Sequence, residues 1–396
     1  MRIVVISDWF AEKMGYAENC LPKALAYLGH EVHVLTSNLQ VYFNSPTYKE
    51  VYGQFLGPAL TSVGHKEIDG YKLYRLPAGK WRGKLRIKNL ARNLLKIHPQ
   101  IVQTFDTFSL TTYEAAFFKT FVGYKLFSES HLHASVFPPA IQWPGIKRRF
   151  KWLLYAATIG RLVSLFTKQC YPISSDAADI AIQFFGIQPA KVKIYSLGVD
   201  TDIFKPAIDE ISKQARVQLR SKLGFSPSDS VCIFTGRFTN DKNPLCLAQA
   251  IAKLVKQGES FRGLFVGSGP QAKAIQSLPG CVVHPFVSFR ELPGFYRSAD
   301  IGVWPKQEST SQLDAAACGL PIIISNRAKV IERIDGNGLM YEEDNPEDLA
   351  RKICALSDPQ IRASLGEYGA GKIQDRFSWI HIAKQRVRDY EAALQH

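Results

Sequence analysis

Short aliphatic and β-branched runs alternate with stretches of helical periodicity through both halves of the chain. In the first half the runs are residues 3–7, 31–36, 72–76, 101–104, 125–128 and 170–173. In the second they are 231–235, 264–266, 282–285, 301–304 and 321–325. Strands spaced by helices in this way predict α/β architecture with two open parallel sheets. Such sheets bind ligands in the loops after their strands, and a cleft between two such domains is the expected site.

The segment 193–200, followed by Phe204-Lys205-Pro206, ends one unit in turn chemistry and precedes a polar helical stretch, so a boundary is expected there. The predicted division is an N-terminal domain over 1–198, a C-terminal domain over 199–376, and a C-terminal helix over 377–396 packing back toward the first. A chain of 396 residues suits two domains. Its 46% hydrophobic and 21% charged composition provides ample core.

Charge changes the picture through its location. Of the net +14, an excess of 13 falls between Lys66 and Lys168, where 18 Lys/Arg face 5 Asp/Glu. The N-terminal half therefore presents a basic surface, suited to an anionic membrane, a phosphate-bearing acceptor or nucleic acid, or simply to solvation. Nucleic acid is not expected, because no nucleic-acid-binding module is recognisable. Ile146, Phe150, Leu153 and Ala157 share one helical face beside the cations Lys147 to Lys151, and seven more cations lie between Lys80 and Lys96. That is the pattern of an interfacial helix on anionic lipid, or of a core helix with a basic outer side.

Seven scattered cysteines without a C-x-x-C pair suit reduced thiols in a cytosol-like compartment. No signal peptide is expected at the N-terminus, and the longest apolar run, nine residues from Trp152 to Gly160, is too short to span a bilayer. The expected location is cytoplasmic, with peripheral attachment to the inner face of the membrane.

Three constellations in the second half carry candidate chemistry. Arg237 and Lys242 stand five residues apart on one loop between a strand and a helix. They suit a clamp on a diphosphate, or are two solvated loop cations. Gly267-Ser268-Gly269 follows the next strand and lets backbone N–H groups approach a phosphate. As a dinucleotide fingerprint it fails, since no third glycine follows, and a nicotinamide or flavin oxidoreductase is disfavoured. Glu308 precedes the small-residue turn Ser309, Thr310, Ser311 at a helix start, and Asp314 and Gly319 follow. The turn suits an anion, and the two acids can accept hydrogen bonds from sugar or ribose hydroxyls, or act as a loop acid and a first-turn helix acid.

In this order, the three elements resemble the C-terminal half of the retaining GT-B glycosyltransferases whose signature is two glutamates separated by seven residues. The loop Met14-Gly15-Tyr16-Ala17-Glu18, with Gly29 to Val34 after it, is similar to that family's glycine loop, first helix and second strand. The resemblance implies two Rossmann-like domains with parallel sheets facing across a cleft, the N-terminal one binding the acceptor and the C-terminal one the nucleotide-sugar donor. It implies that Arg237 and Lys242 hold the donor diphosphate, that Gly15, Gly267 and Gly269 lie on the donor side, and that Phe286 and Val287 meet the base. It also places Ser309, Thr310 and Ser311 at the donor, Asp314 at the ribose, and Glu308 at the sugar and leaving group. Only five residues separate Glu308 from Asp314, so this loop is shorter than the family's or built differently.

The family commonly ends one N-terminal strand in a histidine facing the donor sugar. His131 takes that place, and His133 faces the same way if the strand continues. A core histidine is the alternative, and a metal site would require a third ligand that the sequence does not supply. The implied activity is transfer of a sugar from a UDP- or GDP-sugar to a glycan, lipid-linked or other hydroxyl acceptor, with retention and with no cofactor or metal. Its implied setting is cell-surface polysaccharide or glycoconjugate synthesis. The alternatives are a nucleotide-sugar epimerase or sugar phosphorylase on the same fold, or a non-catalytic relative that binds nucleotide-sugar or glycan.

Overall fold

The computed structural model describes residues 1–81, 84–134, 137, 146–328 and 330–395 of the chain. They form two compact units. The first comprises Met1–Ser45, Pro58–Leu197 and Trp379–His396; the second comprises Pro46–Gly57 and Gly198–Ser378.

Among the described residues of the first unit lie nine strands: β1 (Arg2–Ser7), β2 (Glu31–Ser37), β3 (Gly64–Ile68), β4 (Tyr71–Leu76), β5 (Ala78–Trp81), β6 (Lys84–Ile87), β7 (Ile101–Thr104), β8 (Lys125–Ser130) and β9 (Thr167–Pro172). Seven of them form a sheet in the order β3-β4-β2-β1-β7-β8-β9, and β5 with β6 makes a separate hairpin. Ile3, Val4, Val5 and Ile6 are all buried, which puts β1 at the centre, parallel to β2 on one side and β7 on the other. Burial on both faces is what a continuous apolar run supplies and alternation would not. The edge strand β3 is antiparallel to β4 and almost wholly exposed, and its polar sequence leaves little for another chain to pair with.

The helix Trp379–Gln395 packs on this unit through a buried polar network. Arg386 donates to Glu129 Oε1 at 3.2 Å, and its guanidinium lies over the Tyr171 ring, 3.3 Å from the centroid. Gln103 also donates to Glu129, and Tyr390 donates to Gln103. Nearer the surface, Lys193 donates to Asp389 at 2.7 Å.

The second unit holds β10 (Ser230–Arg237), β11 (Phe261–Ser268), β12 (Cys281–His284), β13 (Ile301–Trp304), β14 (Ile322–Ser325) and β15 (Gly338–Tyr341). They form one sheet, parallel throughout, in the order β12-β11-β10-β13-β14-β15. Its core joins Val231, Ile233 and Phe234 to Leu264, Val303, Trp304 and Ile323. The segment Pro46–Gly57 adds Tyr48, Val51, Tyr52 and Leu56, all buried, to this unit. The Tyr52 ring stacks on Phe286 with centroids 6.0 Å apart, and Phe55 lies 5.9 Å from the same ring.

Candidate functional site

The loops that follow β10, β11 and β13 lock together at one end of the second sheet. In the paired register Gly236 faces Gly267, and a Cβ on Gly267 would overlap the Gly236 carbonyl oxygen. Gly269, at φ +152°, would place a Cβ 2.7 Å from the Phe238 carbonyl oxygen. Both glycines are thus required by close backbone approach, independently of any ligand. Phe238 N–H donates to the Ser268 carbonyl at 2.9 Å, and Gln307 N–H donates to the Asp241 carbonyl at 3.3 Å, so all three loops are tied.

Arg237 ends β10 and pairs with Asp241 at 3.0 Å while keeping part of its guanidinium exposed. Lys242 turns inward, and its Nζ donates to the Glu308 carbonyl oxygen at 2.7 Å. Burial pulls the Lys242 ammonium down to about 8, and the nearby Arg237 charge acts in the same direction. An anion beside these two cations would relieve both effects. Arg237, Lys242 and the backbone of Glu308 therefore form one cluster.

A residue with no sequence signature completes it. Arg333, buried, donates to the Ser309 carbonyl at 2.9 Å and to Gln312 Oε1 at 3.2 Å, fixing the turn Ser309, Thr310, Ser311 ahead of the helix Ser311–Ala317. Asp314 is buried on that helix, and burial pushes its carboxyl up to about 8, with the Asp200 charge adding to the effect. At neutral pH it is mainly protonated and can donate a hydrogen bond. Phe286 carries Tyr52 and Phe55 against its ring, and Val287 packs on the hydrophobic core of the unit.

In the first unit, Gly15 has φ +61° in the loop before the helix Ala17–Tyr27. His131 follows the last residue of β8, and its Nε2 lies 2.6 Å from Glu129 Oε2. Its ring meets Phe105 edge-on with centroids 5.6 Å apart. His131 lines a pocket of about 310 Å³ together with Asp8, Trp9, Glu18, Asp106 and Phe108. His133 does not share this environment: its Nδ1 lies 3.3 Å from Asp176, which also accepts from Ala134 N–H at 2.8 Å. β8 ends at Ser130, so the extended chain that would turn His133 the same way as His131 does not continue. Among the described residues no group of three His, Cys, Asp or Glu is arranged to hold a metal ion.

Residues 229–358 match the family model described as Glycosyl transferases group 1. Spore coat protein SA of Bacillus subtilis is 27% identical over 224 residues, covering 51% of this chain and 59% of the relative. A D-inositol 3-phosphate glycosyltransferase of Streptomyces bingchenggensis is 28% identical over 244 residues, covering 56% of this chain and 52% of the relative. The matches thus span little more than half the length of these relatives. The crystal structure of Anabaena HepE in complex with UDP-glucose superposes with a TM-score of 0.69 at 15% identity, covering 99% of this chain and all of that one. The chain has the GT-B fold, and the stretch of its second unit from residue 229 to 358 is similar to the group 1 glycosyl transferases.

Proposed function

We propose that this chain is a retaining glycosyltransferase that takes a sugar from a nucleotide diphosphate-sugar held by its second unit. The observation that carries the reading is the cluster of Arg237, Lys242 and the Glu308 carbonyl beside the Ser309 to Ser311 turn. Leaving-group charge builds on the diphosphate as the glycosidic bond breaks, and two fixed cations at that point lower the barrier. Supplied by side chains, this charge makes the transfer independent of a divalent metal. Glu308 faces the sugar, and Asp314, as a neutral acid, donates to the ribose. Gly267 and Gly269 open backbone N–H groups to the nucleotide, and His131 contributes to the sugar end. Retention follows the family resemblance. UDP-glucose in the Anabaena relative favours a uridine nucleotide.

The experiment measures transfer by the unmodified chain, Arg237→Ala and Lys242→Ala, each with and without EDTA. Removing either cation should cost on the order of 3 kcal/mol in the transition state, about a hundredfold in rate. Unchanged rates in both variants, or loss of the unmodified activity in EDTA, would overturn the mechanism.

We further propose that the first unit docks on an anionic membrane to reach a lipid-linked or glycan acceptor. The apolar positions Phe150, Leu153 and Leu154 of the helix Ile146–Tyr155 are exposed, as are Leu162, Leu165, Phe117 and Phe121 on helices Arg161–Phe166 and Leu110–Val122. Lys119 on the last of these helices donates to the Phe166 carbonyl at 2.6 Å, so two of the three are directly joined. Large side chains exposed together mark an interaction surface. Lys151, Arg161 and Lys168, all exposed, supply charge for anionic lipid. The side chains of Lys147, Arg148 and Arg149 and all of Arg82 lie outside the described residues. No helix among those described is long and apolar enough to cross a membrane.

A further inference from the structure

Three cations meet around the turn Ser309, Thr310, Ser311, and they are compensated unequally. Arg237 pairs with Asp241 at 3.0 Å, and Lys242 donates to the Glu308 carbonyl. Arg333 is 4% exposed, and its guanidinium donates only to neutral acceptors, the Ser309 carbonyl at 2.9 Å and Gln312 Oε1 at 3.2 Å. Among the described residues no carboxylate pairs with it, and its Nε is buried without an acceptor, as is Nε2 of the contacting Gln312. The carboxyls of Glu332, Glu308 and Asp314 act on it from further away. Glu332 is exposed and screened by water, and burial keeps Asp314 mainly protonated at neutral pH. A guanidinium taken out of water without a counter-charge is costly, and it cannot shed its proton to escape. An anion bound beside the turn would supply the missing charge.

The place of Arg333 is fixed from behind. It ends the short turn Ile331–Arg333, and Lys372, at the end of helix Pro359–Lys372, donates to the carbonyls of Glu332 and Asp335 at 3.0 and 2.8 Å and to Asn337 Oδ1 at 2.5 Å. Its charge reaches Lys242: with burial and Arg237 it presses that ammonium down, against Asp241 and Glu308.

We propose that Arg333 is a positioning and specificity-determining residue of the donor site, fixing the Ser309 turn and adding a buried positive charge that selects a nucleoside diphosphate over the monophosphate. The inference rests on the reading of this cluster as a nucleotide diphosphate-sugar site. A field acts on every charge that is bound, so the anion with one more negative charge gains more from Arg333. Even at about 10 Å and an effective dielectric of about 20, a unit charge changes the affinity for one added charge by roughly tenfold or more. A turn held by hydrogen bonds alone would favour both nucleotides by the same factor. Donors that link the sugar through a single phosphate are accordingly disfavoured.

The test is calorimetric titration of the full chain with UDP, UMP, GDP and GMP, using the unmodified protein, Arg333→Gln and Arg333→Lys. Arg333→Gln should weaken the tighter diphosphate about tenfold and its monophosphate less than about threefold. It should also move the fall of diphosphate affinity with rising pH, which Lys242 sets, to higher pH, because one of the charges opposing that ammonium is gone. Arg333→Lys keeps the charge and loses the fork, so it should weaken both nucleotides while holding their ratio and the pH of the fall. Equal weakening of both nucleotides by Arg333→Gln, an unmoved pH profile, or unaltered affinities would each overturn the inference and leave the donor reading standing. If circular dichroism shows Arg333→Gln unfolded, Arg333→Lys decides: a ratio that collapses although the charge is kept would overturn it. Failure of the unmodified chain to bind either diphosphate would overturn the donor reading itself, and this inference with it.

Discussion

Replacing Arg386 by methionine would leave Glu129, 2% exposed, with Gln103 and His131 as the groups among the described residues that hold its carboxyl. Methionine keeps much of the volume over Tyr171, so the perturbation is electrical rather than a cavity. Removing one partner of a buried ion pair typically costs about 3–5 kcal/mol, because the remaining charge cannot recover its hydration. The Gln103 and His131 contacts stabilise Glu129 in part, which favours the lower end, about 3 kcal/mol. That is a large share of the roughly 5–15 kcal/mol that holds a typical domain together. The assay is urea unfolding followed by circular dichroism for Arg386→Met, Glu129→Gln and the double variant. The double variant removes both charges and should recover most of the loss, giving a coupling of about 2 kcal/mol or more. A single-variant cost below about 1 kcal/mol, or additive losses, would refute the buried-pair argument. Because Glu129 also orients His131, Arg386→Met should lower transfer more than it lowers UDP-glucose affinity.

Lys242 is already drawn down to about 8, and a bound diphosphate favours its charged form. Affinity for UDP should therefore fall as pH rises through 8, and Lys242→Met should flatten that profile in calorimetric titrations. Asp314 has a folded pKa of about 8, above its ordinary value, so the unfolded chain is the more readily ionised and stability contributed here declines from about pH 4 to 8. Asp314→Asn should raise the thermal midpoint at pH 8 with little change at pH 4; an equal shift at both would contradict the burial argument. Co-sedimentation with phosphatidylserine vesicles should be weakened by high salt and by the pair Phe117→Ser and Phe121→Ser, and binding insensitive to both would dismiss the membrane surface.

The strands legible in the sequence are those that fill a core. Residues 3–7, 231–235 and 301–304 announce themselves because parallel strands covered on both faces must be apolar throughout. The edge strand β3, Gly-His-Lys-Glu-Ile, and the hairpin strands β5 and β6 are polar and short, and no periodicity betrays them. The Arg237 and Lys242 loop is readable because two cations follow a strand directly. Arg333 is not, since its place beside Ser309 depends on chain that returns after β14. Asp8 and Glu18 are ordinary acids in sequence, and only the folded β1 and the helix after it put them around one pocket. Nothing in Tyr48, Tyr52 and Phe55 signals that they pack with the second unit.

The ion pair between Glu129 and Arg386 spans 257 residues of chain. At a synthesis rate of about 5–20 residues per second, Glu129 leaves the ribosome roughly 13–50 s before its partner is made. During that interval the first sheet can collapse but cannot close its polar network, and a carboxylate waits on a surface destined to be interior. The stretch Gly198–Ser378 of the second unit is translated within the same window, and its segment Pro46–Gly57 before it. The nascent first unit therefore needs either hydration of that surface or a chaperone's cover until helix Trp379–Gln395 emerges.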